Sequence, residues 1–348
     1  MLPVKRVIKN DVLLILLLFI LAAWPVDARE IVDMAGRKVQ VPDRITKVYA
    51  TSPPATYMIY AFDPELLAGL NTPIRDGDKP YLSPRIYSLP VLGGYFGQGQ
   101  VANIEMIMKA RPDVVIMWAS VESALNRKME ADMAALGIPL VLMRIDRVED
   151  YSRGLRFLGN LLDRRKRATE LANYGEKALE RAAAVVRSIP AGKKATIYYA
   201  EGMDGLFTEC NTSSHAELIN LAGAQNVHHC RTQTGYGMEK ISIEQVLLYN
   251  PEVIVVQERE AFQRIKKDKR WQQTRAVKNG RMFLIPKPPF NWFDRPPSYM
   301  RYLGIKWLMH CLYPDFYRVD LAGETRTFYR LFLGVQLTDE QIREILAG

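Results

Sequence analysis

The sequence predicts an α/β protein of two similar lobes joined by one long helix, and three observations predict it. The stretch Asn103 to Ile116, NIEMIMKARPDVVI, returns as a near copy at Ser242 to Val255, SIEQVLLYNPEVIV. Strand-like runs alternate with helical ones around each copy, the signature of largely parallel sheets. Between the copies, Arg167–Ser188 is apolar at Ala168, Leu171, Ala172, Ala178, Leu179, Ala182, Ala183 and Val186 and charged at Glu170, Glu176, Lys177, Glu180 and Arg181. That is helical spacing with one face to bury.

Each copy of the repeat justifies its own elements. It opens on a residue whose side chain can cap a helix (Asn103, Ser242), and a glutamate follows two positions later (Glu105, Glu244). A proline then stops the helix (Pro112, Pro251), because it has no N–H to continue one and disfavours the α region in the residue before it. The β-branched runs Val114 to Ile116 and Val253 to Val255 read as buried strands.

Taken in order, the chain begins with a basic segment (Lys5, Arg6, Lys9), an apolar stretch from Val12 to Ala23, and small residues at Val26 and Ala28. This is the pattern of a cleaved secretory signal over residues 1–28, too short in its apolar part for a membrane span of roughly 20 residues. Ile31 to Pro42 alternates around Gly36 as a hairpin would. Strands are expected at Lys47–Thr51, Leu66–Leu70, Pro90–Gly93, Asp113–Trp118 and Pro139–Ile145, with helices at Ala55–Phe62, Ile104–Lys109 and Ser123–Leu136. Val148–Leu162 is one helix, and Arg167–Ser188 a second of roughly 33 Å at 1.5 Å per residue. The second lobe has strands at Ala195–Ala200, Glu252–Gln257 and Met282–Ile285 and helices at Ser214–Ala222 and Ser242–Tyr249. A helical tail follows (Pro297–Leu312, Asp320–Leu333, Asp339–Leu346), with Thr338 as a cap. The expected boundaries are therefore 1–28 leader, 29–147 first lobe, 148–190 bridging helices, and 191–348 second lobe with tail.

A net charge of +9 falls to about +8 without the leader, which carries three basic and two acidic side chains. The excess is not gathered into a basic run, so no nucleic-acid role is indicated. Of the three cysteines, Cys210 and Cys230 lie in loop-like sequence and are the expected disulfide, while Cys311 sits in an apolar helical run as a core thiol.

Enzymatic signatures are missing: there is no G-x-S-x-G, H-E-x-x-H, phosphate loop or C-x-x-C. The four histidines (His215, His228, His229, His310) all fall in the second half, so a bare metal ion held by several imidazoles between the lobes is not expected, and no metal-ligand residues are assigned. The local set Cys210, His215, His228, His229 and Cys230 has no standard zinc spacing. Aromatics instead gather at strand ends, where α/β folds present ligands. Tyr95, Phe96 and Trp118 do so in the first lobe, and Tyr199, Tyr236, Phe290 and Trp292 in the second, with Arg295 beside Trp292. Core packing is the ordinary alternative for any one of them. Tyr95, Trp118, Tyr199, Tyr236, Trp292 and Arg295 are the expected ligand-binding residues, apolar walls plus one guanidinium for an anionic group. Truncating Trp292 or Arg295 should then weaken binding and spare stability.

The whole mature chain resembles the periplasmic substrate-binding proteins of iron-complex and cobalamin ABC importers. The resemblance is carried by Asp33-Met34-Ala35-Gly36-Arg37, Asn103-Ile104-Glu105 with Arg111-Pro112-Asp113, Leu136-Gly137-Ile138-Pro139, GAQNV from Gly223, Ser242-Ile243-Glu244-Gln245, and Trp292-Phe293-Asp294-Arg295-Pro296-Pro297-Ser298. It implies two Rossmann-like lobes of the class III periplasmic-binding-protein type, a soluble monomer in the periplasm, no enzymatic activity and no resident cofactor. Its cargo would be a ferric siderophore or similar anionic chelate, with haem, cobalamin or a molybdate-type oxyanion as alternatives; haem would draw an axial ligand from Tyr95, Tyr236 or His229. An exported metalloenzyme on the same scaffold is the reading from another class. The resemblance also implies a partner, an ABC permease with its ATPase subunits, onto which Glu105 and Glu244 dock. Acids in a first helical turn also complement the helix dipole, for about 0.3–1 kcal/mol.

Overall fold

Two separate parallel sheets form the centre of the molecule. The computed structural model describes residues 28–95, 101–118, 124–230 and 237–347. The expected leader and Tyr236 therefore lie outside the described residues, except that Ala28 opens the first strand. Strands β1 (Ala28–Val32) and β2 (Lys38–Pro42) make the expected antiparallel hairpin around Gly36, whose φ of +81° suits glycine. In the first lobe β3 (Val48–Ala50), β4 (Val114–Trp118) and β5 (Leu140–Met143) form a three-stranded sheet with β4 central. In the second lobe come β6 (Thr196–Ala200), β7 (Phe207–Thr208), β8 (Gln225–Asn226), β9 (Glu239–Lys240), β10 (Val253–Val256) and β11 (Met282–Leu284). The four-stranded order is β11-β10-β6-β8, all parallel, while β7 and β9 make a small antiparallel pair.

The repeat folds as one unit used twice. Asn103 Oδ1 accepts from the Met106 N–H at 3.0 Å and Ser242 Oγ from the Gln245 N–H at 3.3 Å, capping helices Ile104–Ala110 and Ile243–Tyr249. Both helices end in a left-handed residue, Arg111 (φ +48°) and Asn250 (φ +42°). The strands that follow split their faces identically. Val114 and Ile116, like Val253 and Val255, point into the central core; Val115, like Ile254 and Val256, packs under its own lobe's repeated helix. This is the period-two alternation of a strand buried on both faces.

Two expected strands are not formed. Leu66–Leu70 and Pro90–Gly93 contribute only single bridges, Val48 to Leu67 and Leu70 to Val91. A short 3₁₀ turn, Pro64–Leu66, runs into the start of the first, and Pro90 has no N–H for a ladder in the second.

The long helix Arg165–Ser188 packs on Asp150–Leu161 and on Arg301–Leu312, its buried face being Ala168, Leu171, Ala172, Gly175, Ala178 and Ala182. The tail reaches back across the seam. Tyr60 Oη donates to the Leu333 carbonyl at 2.9 Å, Arg167 Nη2 donates to the Leu331 carbonyl, and Tyr329 bonds Pro288 while meeting Tyr81 edge-on. One apolar core consequently runs through both lobes, with a smaller core on each outer flank. Among the described residues no helix is long and apolar enough to cross a membrane.

Candidate functional site

Strand ends from both lobes face each other across a cleft, as parallel sheets dictate. Two cavities lie in it. The larger, about 530 Å³, takes Tyr57, Asn71, Arg75 and Asp78 from the first lobe and Gln257, Glu258, Lys287, Phe290 and Arg295 from the second. Gln257 and Glu258 directly follow β10, and Tyr57 stands on helix Pro53–Phe62 just after β3. Tyr57 and Phe290 stack across the seam with centroids 3.6 Å apart. The smaller cavity, about 170 Å³, is walled by Trp118, Asp146, Arg147 and Tyr151 on one side and Ser214, His215 and Arg301 on the other.

The cations of the larger cavity already have partners. Arg75 Nε lies 2.7 Å from Asp78 and Lys287 Nζ 2.6 Å from Glu258. Arg295 Nε donates to Glu201 Oε1 at 2.7 Å, its Nη2 pairs with Glu209, and Asp294 Oδ2 is 3.6 Å away. Those three carboxylate side chains are 0% exposed, and Arg295 itself only 21%. Asp294 continues the network, accepting from Arg301 Nη2 at 3.0 Å and meeting His215 Nδ1 at 2.6 Å. Arg301 also donates to the carbonyls of Phe293 and Ser214, both at 2.9 Å. Gly304 lets the loop sit close, since a β-carbon there would lie 1.9 Å from the Trp292 carbonyl oxygen.

Burial sets the electrostatics of this wall. It pushes the Glu201 carboxyl up to about 8, against the pull of Arg295. Burial alone would lower Arg295, but Glu201, Asp294 and Glu209 outweigh it and hold the guanidinium above its ordinary range. Glu201 Oε2 and Glu209 Oε2 are buried without a hydrogen-bond partner among the described residues. The wall is therefore a buried cage with more carboxyl groups than guanidiniums, in which burial favours the protonated form of Glu201.

Against the expected residues, the structure is selective. Trp118 lines the smaller cavity, edge-on to Tyr151 at 5.7 Å. Arg295 reaches the larger cavity, but from inside its carboxylate cage. Trp292 is corrected to a core residue: it is 0% exposed and its Nε1 donates to Tyr329 Oη at 3.4 Å. Tyr199 is corrected likewise, fully buried with its hydroxyl donating to Gln257 and its ring 4.8 Å from Phe293. Tyr95 lines neither cavity; its hydroxyl donates to Asp132 at 3.1 Å. Burial of Trp292 and the ion pairs of Arg295 both speak for a stability cost on truncation, against the expectation that stability is spared. Glu105 and Glu244 are exposed on their helices, and the Glu244 carboxyl is held below its usual range by its own N–H and the Ser242 hydroxyl.

Sequence reasoning missed Tyr57, Asn71, Arg75 and Asp78, which follow β3 and the expected strand Leu66–Leu70 and could have been found by reading past each strand end. It also missed Arg301, whose signal was a lone charge in the apolar run Tyr299 to Leu303. The expected disulfide joins Cys210 and Cys230, and burial pushes the Cys311 thiol up to about 12.

Comparison with known proteins gives a consistent picture. The family model described as periplasmic binding protein matches residues 91–289. An ABC transporter solute-binding protein from Sulfurospirillum deleyianum is 38% identical, with a TM-score of 0.84 over 91% of this chain and 98% of that one. The molybdate-binding protein MolA of Haemophilus influenzae is 25% identical over 87% of this chain and 90% of its own length. A periplasmic solute-binding protein from Veillonella parvula shares the fold, at 24% identity and a TM-score of 0.74 over 92% of this chain and 97% of that one.

Proposed function

We propose, from the premise that this chain belongs to the periplasmic binding protein family, that it captures a metal complex in the cleft and hands it to an ABC permease. The observation that carries this reading is the cavity of about 530 Å³ walled by both lobes, a size suited to a small organic ligand. The cargo is a ferric siderophore or similar chelate, bound by Tyr57, Phe290 and Arg295 in the larger cavity with Trp118 next to the smaller one. Because every cation on the larger cavity is paired, the chelate is recognised through hydrogen-bond donors as well as charge. The protein acts as a non-enzymatic monomer, exported by a cleaved leader, with Glu105 and Glu244 presented to the permease and its ATPase subunits.

A second reading has its own support. The smaller cavity, with Arg147, Arg301 and His215, suits an oxyanion, and the Haemophilus relative is named for molybdate. One experiment separates the two. Trp118 is the half-buried tryptophan among buried Trp271, Trp292 and Trp307, so its fluorescence reports cleft occupancy. Titration with ferric siderophores, haem, cobalamin, molybdate and nickel chelates should give one saturable one-to-one complex released unchanged. Saturation by a chelate, weakened by Tyr57→Ala, upholds the first reading. Saturation by molybdate, weakened by Arg147→Ala, replaces it with the second, and chemical turnover of any ligand overturns both.

A further inference from the structure

The sequence offers Cys210, His228, Cys230 and Glu239 at spacings that match no zinc pattern, yet the fold brings them to one point. Cys210 follows β7, His228 and Cys230 follow β8, and Glu239 opens β9. One donor atom from each lies within 4.8 Å of all the others. Two of the four are thiol sulfurs in the reduced chain, one is an imidazole nitrogen and one a carboxylate oxygen, the donor set of a four-coordinate site for a borderline-soft dication.

Two details go beyond proximity. His228 turns Nε2 toward the cluster, 3.0 Å from Glu239 Oε2, while its Nδ1 is held by the Tyr249 hydroxyl at 2.9 Å. A ring nitrogen aimed inward with its opposite nitrogen fixed by a polar partner is how metal-ligating histidines are oriented. Cys210 Sγ lies 3.3 Å from Glu239 Oε1, and a disulfide sulfur has no proton to offer that carboxylate. The contact becomes favourable when the sulfur is a thiol, or when a cation sits between them.

We propose that Cys210, His228, Cys230 and Glu239 form a redox-gated zinc-type site, closed while the disulfide stands and open once it is reduced. A dithiol reductant supplies two electrons and two protons, breaking the S–S bond to give two thiols. The dication then displaces both thiol protons, and two thiolates, one neutral imidazole and one carboxylate leave the site with a single negative charge. Buried Cys210 and His228 form its floor; half-buried Cys230 and Glu239 leave it a way in.

The test uses the full mature chain carrying Cys311→Ser, so that only two thiols remain on reduction. Cobalt(II) is the probe, because tetrahedral cobalt–thiolate sites absorb intensely in the near ultraviolet and visible. The expected result is one equivalent bound after anaerobic reduction with a phosphine, displacement of cobalt by zinc, and no such bands in the oxidised chain. His228→Ala or Glu239→Gln, which keep both cysteines, should each weaken binding at least 10-fold, and Tyr249→Phe about 10-fold. Zinc should also raise the unfolding temperature of the reduced chain and leave that of the oxidised chain unchanged. Cobalt bands that persist in the oxidised chain, or a reduced chain that neither holds cobalt nor gains stability with zinc, overturn the proposal.

Discussion

The two lobes are alike on their outer flanks and unlike where they face each other. Outside, each displays a capped seven-residue helix with an exposed glutamate and an exposed apolar residue in the turn that follows, Glu105 with Met108 and Glu244 with Leu248. Inside, the first lobe offers a tyrosine ring and a surface ion pair, Arg75 with Asp78, whereas the second offers a buried cage of Glu201, Glu209 and Asp294 around Arg295. The difference fits the proposed division of tasks. A permease with two-fold symmetry would be met by a motif used twice, and a cargo without that symmetry by two different walls.

The outer motif carries the largest expected effect. If the outer motif serves the permease, Glu105→Ala combined with Glu244→Ala abolishes uptake in cells, while ligand affinity of the purified double variant stays within twofold of wild type. Either single change should leave partial transport, because one lobe still docks. Undiminished uptake by the double variant would reduce both glutamates to helix-dipole partners.

Next comes a contrast between two arginines on opposite walls of one cavity. Arg295→Ala removes the cation paired with buried Glu209 and bonded to buried Glu201, while Asp294 keeps Arg301 and His215; it should cost roughly 3–5 kcal/mol of stability, the usual loss when one partner of a buried ion pair is removed. Arg75→Ala, whose side chain is 72% exposed, should change stability by no more than about 0.5 kcal/mol and act on ligand affinity alone. Chemical denaturation of both variants measures the contrast. Equal stability losses would mean that the cage is no more structural than the surface pair.

The repeat made the outer surfaces legible from the sequence, because caps, prolines and β-branched runs are local signals that survive unchanged in the fold. The inner surfaces were not legible in the same way. Aromatic residues stand at the strand ends, but whether a ring faces the cleft, as Trp118 and Phe290 do, or the core, as Trp292 and Tyr199 do, depends on what packs behind it. Trp292 turns inward because the tail returns with Tyr329 beneath it, a contact between residues far apart in sequence. Arg295 lines the larger cavity, but its cage comes from Glu201 and Glu209, which no spacing rule connects to it. The cysteine pair was readable from the loop-like sequence around Cys210 and Cys230, while the convergence of His228 and Glu239 on it required the β7–β9 pairing.

The cage also makes a pH signature. The Glu201 carboxyl titrates near 8 in the folded chain and near 4.5 when unfolded, so between those values the folded state holds a proton that the unfolded state has lost. Stability from this group is full below about pH 4.5 and falls as pH rises toward 8. Glu201→Gln keeps the neutral form at every pH. It should leave the unfolding temperature near wild type at pH 5 and raise it by several degrees at pH 8, as followed by thermal denaturation across that range. A variant that loses stability more at pH 8 than at pH 5 would show that the ionised carboxylate is the form the cage favours.

The smallest effect lies where the unlike walls touch. With centroids 3.6 Å apart and planes within 18° of each other, Tyr57 and Phe290 leave no space for a third ring between them. A ligand must therefore lie beside the pair or part it. A double-mutant cycle on Tyr57→Ala and Phe290→Ala in ligand-free protein should give a coupling of about 1 kcal/mol, the range for aromatic pairs. If binding parts the rings, either substitution removes that cost and speeds ligand association while also accelerating release, so that affinity changes less than the rates do. If the ligand lies alongside, association is unchanged and only release quickens. A coupling of zero would mean that the lobes do not hold each other across the cleft, and that the core shared with the tail alone fixes their spacing.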